Sequence, residues 1–449
     1  MKPSLEALPV ELVAHIGTLL DLQDIASLRL TNRNIGSKLH LAKFFAQKNV
    51  DLALTPLEDM ARMTRQDRLG RLLQHCTITG VAEGDGSNTP IDNQVRLLTE
   101  AFSNLKQHSP RGRLASLCLR VSIRGQYFDD HTPVPDTFRL RKEIWAAALQ
   151  TFNVTMIALH ESQLPVDEYL DIFGGILGCS LMCDAFFSLT RLFTSVPVFR
   201  SLKTLKVNLS SPYMDLEEEY MDLEEGYMDT EERYMDPEER TPDAAADIPE
   251  RSSQSVHVTP ILQGLLEMSS IMPKLETLNI HWYNLGNDSS TAQTNHTSHV
   301  ENNSSRSHFG DLNRCCLRGV YVSESDLLEF VKAVHPADLT MTDIHLVSGT
   351  YASIFEYLSS SDSPVTHYHL DDIHERNCLV HFDGPGKSKF RYLGVTMGPS
   401  TLARHSDGVK RPIHYRITST RALGSGERMR WWKCKVLEFG PPNGRIAFL

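Results

Sequence analysis

Apolar positions near the start of the chain recur at helical spacing: Leu12, Val13, Ile16, Leu19 and Leu20 fall on one face. Pro9 suits a first helical position, where its missing N–H costs nothing, and Glu11 complements the helix dipole in the first turn. Asp21 can cap a second helix, with Asp24 in its first turn and Ile25 and Leu28 on its buried side. Thr31 or Asn32 can cap a third, carrying Ile35, Leu39, Phe44 and Phe45. A unit of three short helices cannot bury all of these side chains against itself, so some must meet another domain or another protein.

Residues 56–76 read as one or two further helices and 83–90 (EGDGSNTP) as a loop. A short pattern then recurs, an aliphatic followed by two others, an aliphatic, one other and an aliphatic. It begins at Leu114, Val154, Leu202, Leu275, Leu317, Met341 and Val365, the last copy with Tyr368 at its middle position. The last three copies start 24 residues apart, with amphipathic helical segments at Glu324 to Val334 and Tyr351 to Leu358 between them. A strand followed by a helix, repeated, stacks into a solenoid; the aliphatics face the helices and the intervening residues line the opposite sheet face. The pattern loosely resembles leucine-rich repeats, with earlier copies about 40 to 73 residues apart and no evident turn-forming Asn or Cys after each strand. Further on, 378–386, 414–420 and 432–440 read as short strands separated by Gly/Pro turns, a β-rich cap for the open end of the core.

The first forty residues carry a more specific signal. The string Leu8-Pro9-x-Glu11-Leu12-Val13-x-x-Ile16-x-x-x-Leu20-x-Leu22-x-Asp24-Ile25-x-x-Leu28-Arg29 resembles the F-box family position by position without gaps. The resemblance implies docking onto the Skp adaptor of an SCF (Skp–cullin–F-box) ubiquitin ligase, and through it onto a cullin. Carried over residue by residue, it makes Leu8, Pro9, Leu12 and Ile16 adaptor-facing, with Leu20, Leu28 and Ile35 as further contacts. Thr31 stands where the family usually has an apolar residue, and Ile35 where it often has an aromatic one. An F-box followed by repeats is a familiar arrangement, in fungal-type members among others.

The expected organisation is therefore an F-box at 1–50, a helical linker at 51–90, an irregular leucine-rich-repeat-like body at 91–377 and a β-rich cap at 378–449. The fold class is α+β or α/β: a three-helix F-box followed by an irregular β/α solenoid. Two insertions interrupt the body, a disordered acidic stretch at 211–256 and an Asn/Ser-rich loop at 286–310.

Charge sharpens this picture by being segregated. Residues 213–240 are four tandem heptads (YMDLEEE, YMDLEEG, YMDTEER, YMDPEER) whose thirteen acids and two arginines account for the whole net charge of -11. The heptad period suggests a coiled coil, but Leu gives way to Thr230 and Pro237 and Gly226 interrupts, so the apolar seam is too narrow and a solvated insertion fits better. Residues 387–449 instead hold thirteen Lys/Arg against three acids, which could support self-association or an oriented partner. The eight cysteines show no CxxC spacing, so reduced thiols are expected in place of a disulfide framework or a zinc site. No apolar run reaches eighteen residues and no secretory leader is evident, so the expectation is a cytoplasmic or nuclear protein with no membrane contact.

Candidate chemistry is sparse. His367, His369, Asp371, Asp372 and His374 form the densest cluster of metal-ligand types, and strand alternation would put His367 and His369 on one face. No recognised spacing supplies further ligands, so polar residues on the sheet face are the better reading and neither metal nor cofactor is expected. Asp383-Gly384-Pro385-Gly386 reads as a turn, lacking the Lys-Ser/Thr end of a phosphate loop. GxSxG, HExxH and a Cys-His nucleophile setting are absent from the sequence. The run Arg428, Arg430, Trp431, Trp432, Lys433, Lys435 could stack on and neutralise nucleic acid, but an alternating strand with its Trp rings in the core is favoured. The expected function is a non-enzymatic specificity adaptor that binds the Skp adaptor through the hook and a client protein through the body. A scaffold acting outside ubiquitination is the alternative, with a nucleic-acid module below both.

Overall fold

The computed structural model describes residues 8–20, 22–31, 34–35, 45–66, 69–82, 90–123, 126–127, 138–210, 259–284, 309, 312–392, 396–419, 423, 426–427, 430–431, 435 and 438–440. The acidic heptads, nearly all of the Asn/Ser-rich loop and most of the expected third helix lie outside these residues.

Helices α1 (Val10–Leu19) and α2 (Leu22–Thr31) form where the apolar spacing predicts them, with Pro9 as the residue preceding α1 and Glu11 and Asp24 in the first turns. Thr31 does not open a third helix: it ends α2, and its hydroxyl donates to the Leu28 carbonyl at 2.6 Å. Val13, Ile25 and Ile35 make a small apolar cluster of their own, with Leu8, Leu20 and Leu28 packed around it.

The remainder is mixed α/β. Strands β1 (Gln47–Asp51), β2 (His75–Ala82), β3 (Leu114–Ile123), β5 (Val166–Ile172), β7 (Thr204–Ser210), β8 (Thr277–Tyr283), β9 (Arg314–Arg318), β11 (Asp338–Thr342) and β13 (His367–Asp371) pair in parallel in chain order. Strand β16 (Thr401–His405) closes the row antiparallel to β13, while the short β4 (Gln126–Tyr127) and β6 (Leu181–Met182) pair beside β3 and β7. Parallel neighbours need crossovers, and helices supply most of them: α3 (Leu54–Met63), α4 (Ile91–His108), α5 (Phe138–Ser162), α6 (Cys183–Phe193), α7 (Thr259–Glu267), α8 (Glu324–Val334) and α9 (Ala352–Ser359). Each of these helices packs on the next, so they make one continuous layer. None of the described helices is long and apolar enough to cross a membrane.

Register explains the core. Cys76, Leu117, Leu170, Leu205, Leu278, Cys315, Leu339 and Tyr368 are successive cross-strand partners, and all are buried. Two positions along, Ile78, Leu119, Ile172, Val207, Ile280, Leu317, Met341 and Leu370 form a second such row. Each fully buried aliphatic stabilises by roughly 1.5–3 kcal/mol. The helices meet these rows with matching stripes, as α4 does with Leu97, Leu98, Ala101, Phe102 and Leu105.

After β9, β11 and β13 the chain turns sharply through Gly319, Asp343 and Asp372, all at positive φ. It then adds β10 (Tyr321–Ser323), β12 (His345–Ser348) and β14 (His374–Glu375) to a second sheet, which continues antiparallel through β15 (Cys378–Phe382) and β17 (Tyr415–Ser419). The corners are stitched together: Gly319 N donates to Thr342 O at 2.9 Å, Asp343 N to Asp371 O at 2.9 Å and Asp372 N to Ser400 O at 3.1 Å.

Three expectations are corrected. The stretch 51–90 is not only a helical linker: α3 fits, but β2 lies within it, and with β1 just before it the sheet begins at Gln47. Strand β1 buries only Val50 fully, so it shows no alternation to read. The copy at Val154 is not a strand but part of α5, because two aliphatics three apart fit a helix as well as the pattern; the strand in that interval is β5. The 432–440 stretch is not a strand at its described residues, since Arg430, Trp431, Lys435, Glu438 and Phe439 have helical backbone. Strands β15 and β17 fall within the expected 378–386 and 414–420, and β16 is a strand that the pattern does not predict.

Gly319 carries a test of the corner. Its φ is +72°, and a Cβ there would lie 2.4 Å from the Trp282 carbonyl and 2.6 Å from the Phe439 ring. Urea unfolding should find Gly319→Ala destabilised by about 1–3 kcal/mol. Gly384→Ala, whose Cβ would meet nothing within 4 Å, should stay within about 0.5 kcal/mol of wild type.

Candidate functional site

The structure separates the hook residues by exposure. Pro9 and Leu12 face solvent, Leu12 at 50% exposure, and Ile16 is half-buried. Leu8, Leu20 and Leu28 lean on the hook's own cluster, and Ile35 is buried inside it at 5% exposure, so Ile35 holds the hook together and offers little surface. Val10, Leu19 and Leu30 were not singled out in the sequence as adaptor contacts, yet they stand open at 41%, 76% and 89%. Large aliphatics left open on two adjacent short helices are the feature an apolar partner would cover.

A second site lies on the sheet face opposite the helix layer. Pleating sends the residues between the two apolar rows and just after the second to that face, where Cys316, Arg318, Thr340, Thr342 and Asp371 line a cavity of about 510 Å³. Asp372 from the adjoining corner completes this wall. Lys389, Phe390, Trp431, Lys435 and Glu438 close the cavity from the C-terminal region. Trp431, Lys435 and Glu438 are spaced four and three apart, which puts all three on one helical face where a strand is expected.

Lys435 Nζ lies 2.8 Å from Asp343 Oδ1 and 3.2 Å from Asp372 Oδ2, and both carboxylates are nearly inaccessible. Ser400 Oγ donates to Asp372 Oδ1 at 2.7 Å, Lys389 Nζ lies 3.4 Å from that oxygen, and Lys389 also pairs with Asp371. Burial alone would raise these carboxyls, but Lys435 together with His345 and His374 at Asp343, and with Ser400 and Lys389 at Asp372, outweighs it and holds both below the usual range. Burial likewise opposes the charge on Lys435, and the two carboxylates reverse the effect and raise its pKa. Further along, Glu438 pairs with Arg318, Phe439 packs edge-on against His281 at 5.3 Å, and Asn284 N donates to Phe439 O at 2.7 Å.

Beside the carboxylates runs a ladder of rings from equivalent positions of β10, β12 and β14. Tyr321 stacks on His345 at 4.3 Å, and His345 on His374 at 4.2 Å with 2° between planes. His374 is fully buried, and neither of its ring nitrogens has a hydrogen-bond partner among the described residues. Burial first, then His345 beside it, lowers its pKa to about 3, so the ring is neutral and its 4.0 Å approach to Asp343 is not an ion pair.

The predicted His/Asp cluster is thus divided. His367 stacks on His405, Asp371 pairs with Lys389, and Asp372 with Lys435, while His374 joins Asp343 and His345. These last three bring ligand atoms within 4.8 Å of one another. A metal ion takes an imidazole lone pair in the ring plane, however, and two parallel planes do not meet at one ion. With Lys435 already against Asp343, the trio as arranged does not fit a metal. One signal in the sequence could have found this site: Asp-Ile-His recurs at 343–345 and 372–374, with Gly-Val-Tyr at the same place in the copy before, 319–321.

The remaining chemistry is subdued. The described cysteines are free, and burial pushes the Cys76, Cys179 and Cys183 thiols up to about 12, far from a reactive thiolate. Much of the C-terminal basic charge is used internally: Arg404 donates to the Arg411 and Pro412 carbonyls, Lys410 to those of Ser360 and Ser363, and Lys389 and Lys435 meet acids. That leaves less for a nucleic-acid backbone. No protein-family model matches the chain, and no curated protein matches its sequence.

The buried imidazoles set a pH dependence. His281 and His374 take up protons near 6.5 when unfolded but only near 3 when folded, so stability falls as pH drops through that window. The depressed carboxyls Asp343 and Asp372 add loss of the same sign as pH falls through and below their unfolded value of 3.8. His374→Phe keeps a ring in the stack and removes one titration. Chemical unfolding from about pH 6 to pH 4 should show its stability falling less steeply, by up to about 1.4 kcal/mol per pH unit.

Proposed function

We propose that this chain is a non-catalytic specificity adaptor of an SCF-type ubiquitin ligase, docking a Skp-family adaptor through its N-terminal helices and a client protein through the body. The observation that carries the reading is the hook: a Leu-Pro-x-Glu-Leu string resembling the F-box family, folded as short helices with their own apolar cluster and with Leu12, Leu19 and Leu30 open. A buried core of a few residues cannot hold such a surface in water without a partner of some kind. Pro9, Leu12 and Ile16 make the contact surface in this reading, with the exposed Val10, Leu19 and Leu30 added to it.

The body fits the role of a platform. Parallel strands laid down in chain order, with one helix layer on one face, support the reading of an irregular leucine-rich-repeat-like solenoid capped by β15 to β17. The long insertions after β7 and β8 leave from the same end of neighbouring strands, since Ser210 and Tyr283 are register partners. In repeat architectures, insertions gathered on one side commonly mark the binding side.

Co-purification with a Skp-family adaptor tests it. The wild-type chain should retain the adaptor, and Leu12→Asp combined with Ile16→Asp should lose it, because charges buried in that contact would go unpaired. The body, built on a separate apolar cluster, should keep its circular dichroism spectrum in the double variant. Equal retention by both chains would refute adaptor docking. Retention without any client turnover would move the reading to a scaffold outside ubiquitination.

A further inference from the structure

We propose that the cleft over β9, β11 and β13 is a socket for a lysine side chain carried on a helical segment of a partner protein, filled in cis by the chain's own Lys435 when the partner is absent. The inference goes beyond the ligase reading and does not depend on it.

Two successive corners aim their carboxylates at one point. Asp343 and Asp372 have equivalent places after β11 and β13, each at positive φ, and Lys435 Nζ bridges them at 2.8 and 3.2 Å. Two buried carboxylates this close repel each other unless a cation lies between them, so the socket demands an occupant. The geometry selects lysine. A compact ammonium can donate to oxygens of two different carboxylates, whereas the planar guanidinium of arginine is matched to both oxygens of one.

The way Lys435 is delivered describes the partner. Trp431, Lys435 and Phe439 lie one helical turn apart, so a single helix face presents an aromatic, a lysine and an aromatic. Trp431 reaches His374 at 5.8 Å between ring centres, and Phe439 packs between His281 and Arg318. These are side-chain contacts that another helix with the same spacing can reproduce.

The cis segment leaves the site imperfectly filled. A cavity of about 510 Å³ remains beside it, Trp431 Nε1 has no hydrogen-bond partner among the described residues, and neither does either nitrogen of the fully buried His374. Unsatisfied buried polar groups cost free energy, so a segment that brings a polar group to His374 gains over the cis occupant. Charge sets the direction of exchange: the acidic heptads of 213–240 cannot enter an anionic socket, and a cationic helix can.

Chemical rescue tests the socket in the full-length chain. Lys435→Ala keeps Cβ and removes the equivalent of n-propylammonium. The variant should melt lower than wild type, and n-propylammonium chloride should raise its melting temperature in a saturable way. Equal tetramethylammonium or sodium chloride should not, and adding Asp372→Asn should abolish the rescue. The same shift from all three salts would mean charge screening alone and would overturn the socket.

The partner chemistry is tested with a fluorescent peptide of residues 426–440. Measured by anisotropy against full-length Lys435→Ala, it should bind at least about tenfold tighter than the same peptide carrying methionine in place of its Lys435. It should also bind the wild-type chain more weakly, because the cis segment competes. If Lys435→Ala does not fold, Lys435→Met, which retains the apolar stem, takes its place. Equal affinity of the lysine and methionine peptides would overturn the proposal.

Discussion

Everything in the body depends on holding two apolar rows in register across eight parallel strands. The rows running from Cys76 to Tyr368 and from Ile78 to Leu370 make one wall, and the helix layer closes on it. Because side chains alternate across a strand, committing one set of positions to that wall commits the set between them to the other face. The polar character of Cys316, Arg318, Thr340, Thr342 and Asp371 on the open face is therefore the other half of the same constraint. A one-residue slip would exchange the two faces, and the buried rows hold the register against it.

The corners add a second constraint. After β9, β11 and β13 the chain must turn through a left-handed conformation, which glycine adopts freely and aspartate tolerates better than most residues. Gly319 is followed in the next two copies by Asp343 and Asp372, so the same backbone demand places two carboxylates side by side at the rim of the open face. From there Lys435 and the helical spacing of the C-terminal segment follow as the means of keeping those carboxylates buried.

What could be read in the sequence divides along the same physical lines. The helices of the hook, α8 and α9 are legible because amphipathic spacing is a local signal, and so are the copies at Leu114, Leu202 and Leu275, which fall on or beside β3, β7 and β8. The copy at Val365 likewise leads into β13, whereas those at Leu317 and Met341 do not coincide with single elements. Leu317-x-x-Val320-x-Val322 straddles the Gly319 corner, with Leu317 in one sheet and Val322 in the other. Val154 misleads because a helix also satisfies its spacing, and Trp431 to Phe439 misleads because charged and apolar residues alternate along a stretch whose described residues are helical. The site is harder still. Asp343, Asp372 and Lys435 come from two separate corners and the C-terminal region, and only the recurrence of Asp-Ile-His hints that the first two share a place.

Stability alone does not account for the Asp343–Lys435–Asp372 cluster. Taking an ammonium and two carboxylates out of water costs several kcal/mol per ion, and well-packed apolar residues of similar volume often serve a core as well or better. The copy before shows that the fold accepts the cheaper solution, since Gly319 makes the same corner with no charge. What the ions add is exclusivity. An apolar contact accepts any side chain of suitable volume, whereas two buried carboxylates admit only a cation and penalise every other occupant. The cluster is therefore better understood as a device for choosing what lies on the open face, which is why its weight falls on recognition and not on the core beneath it.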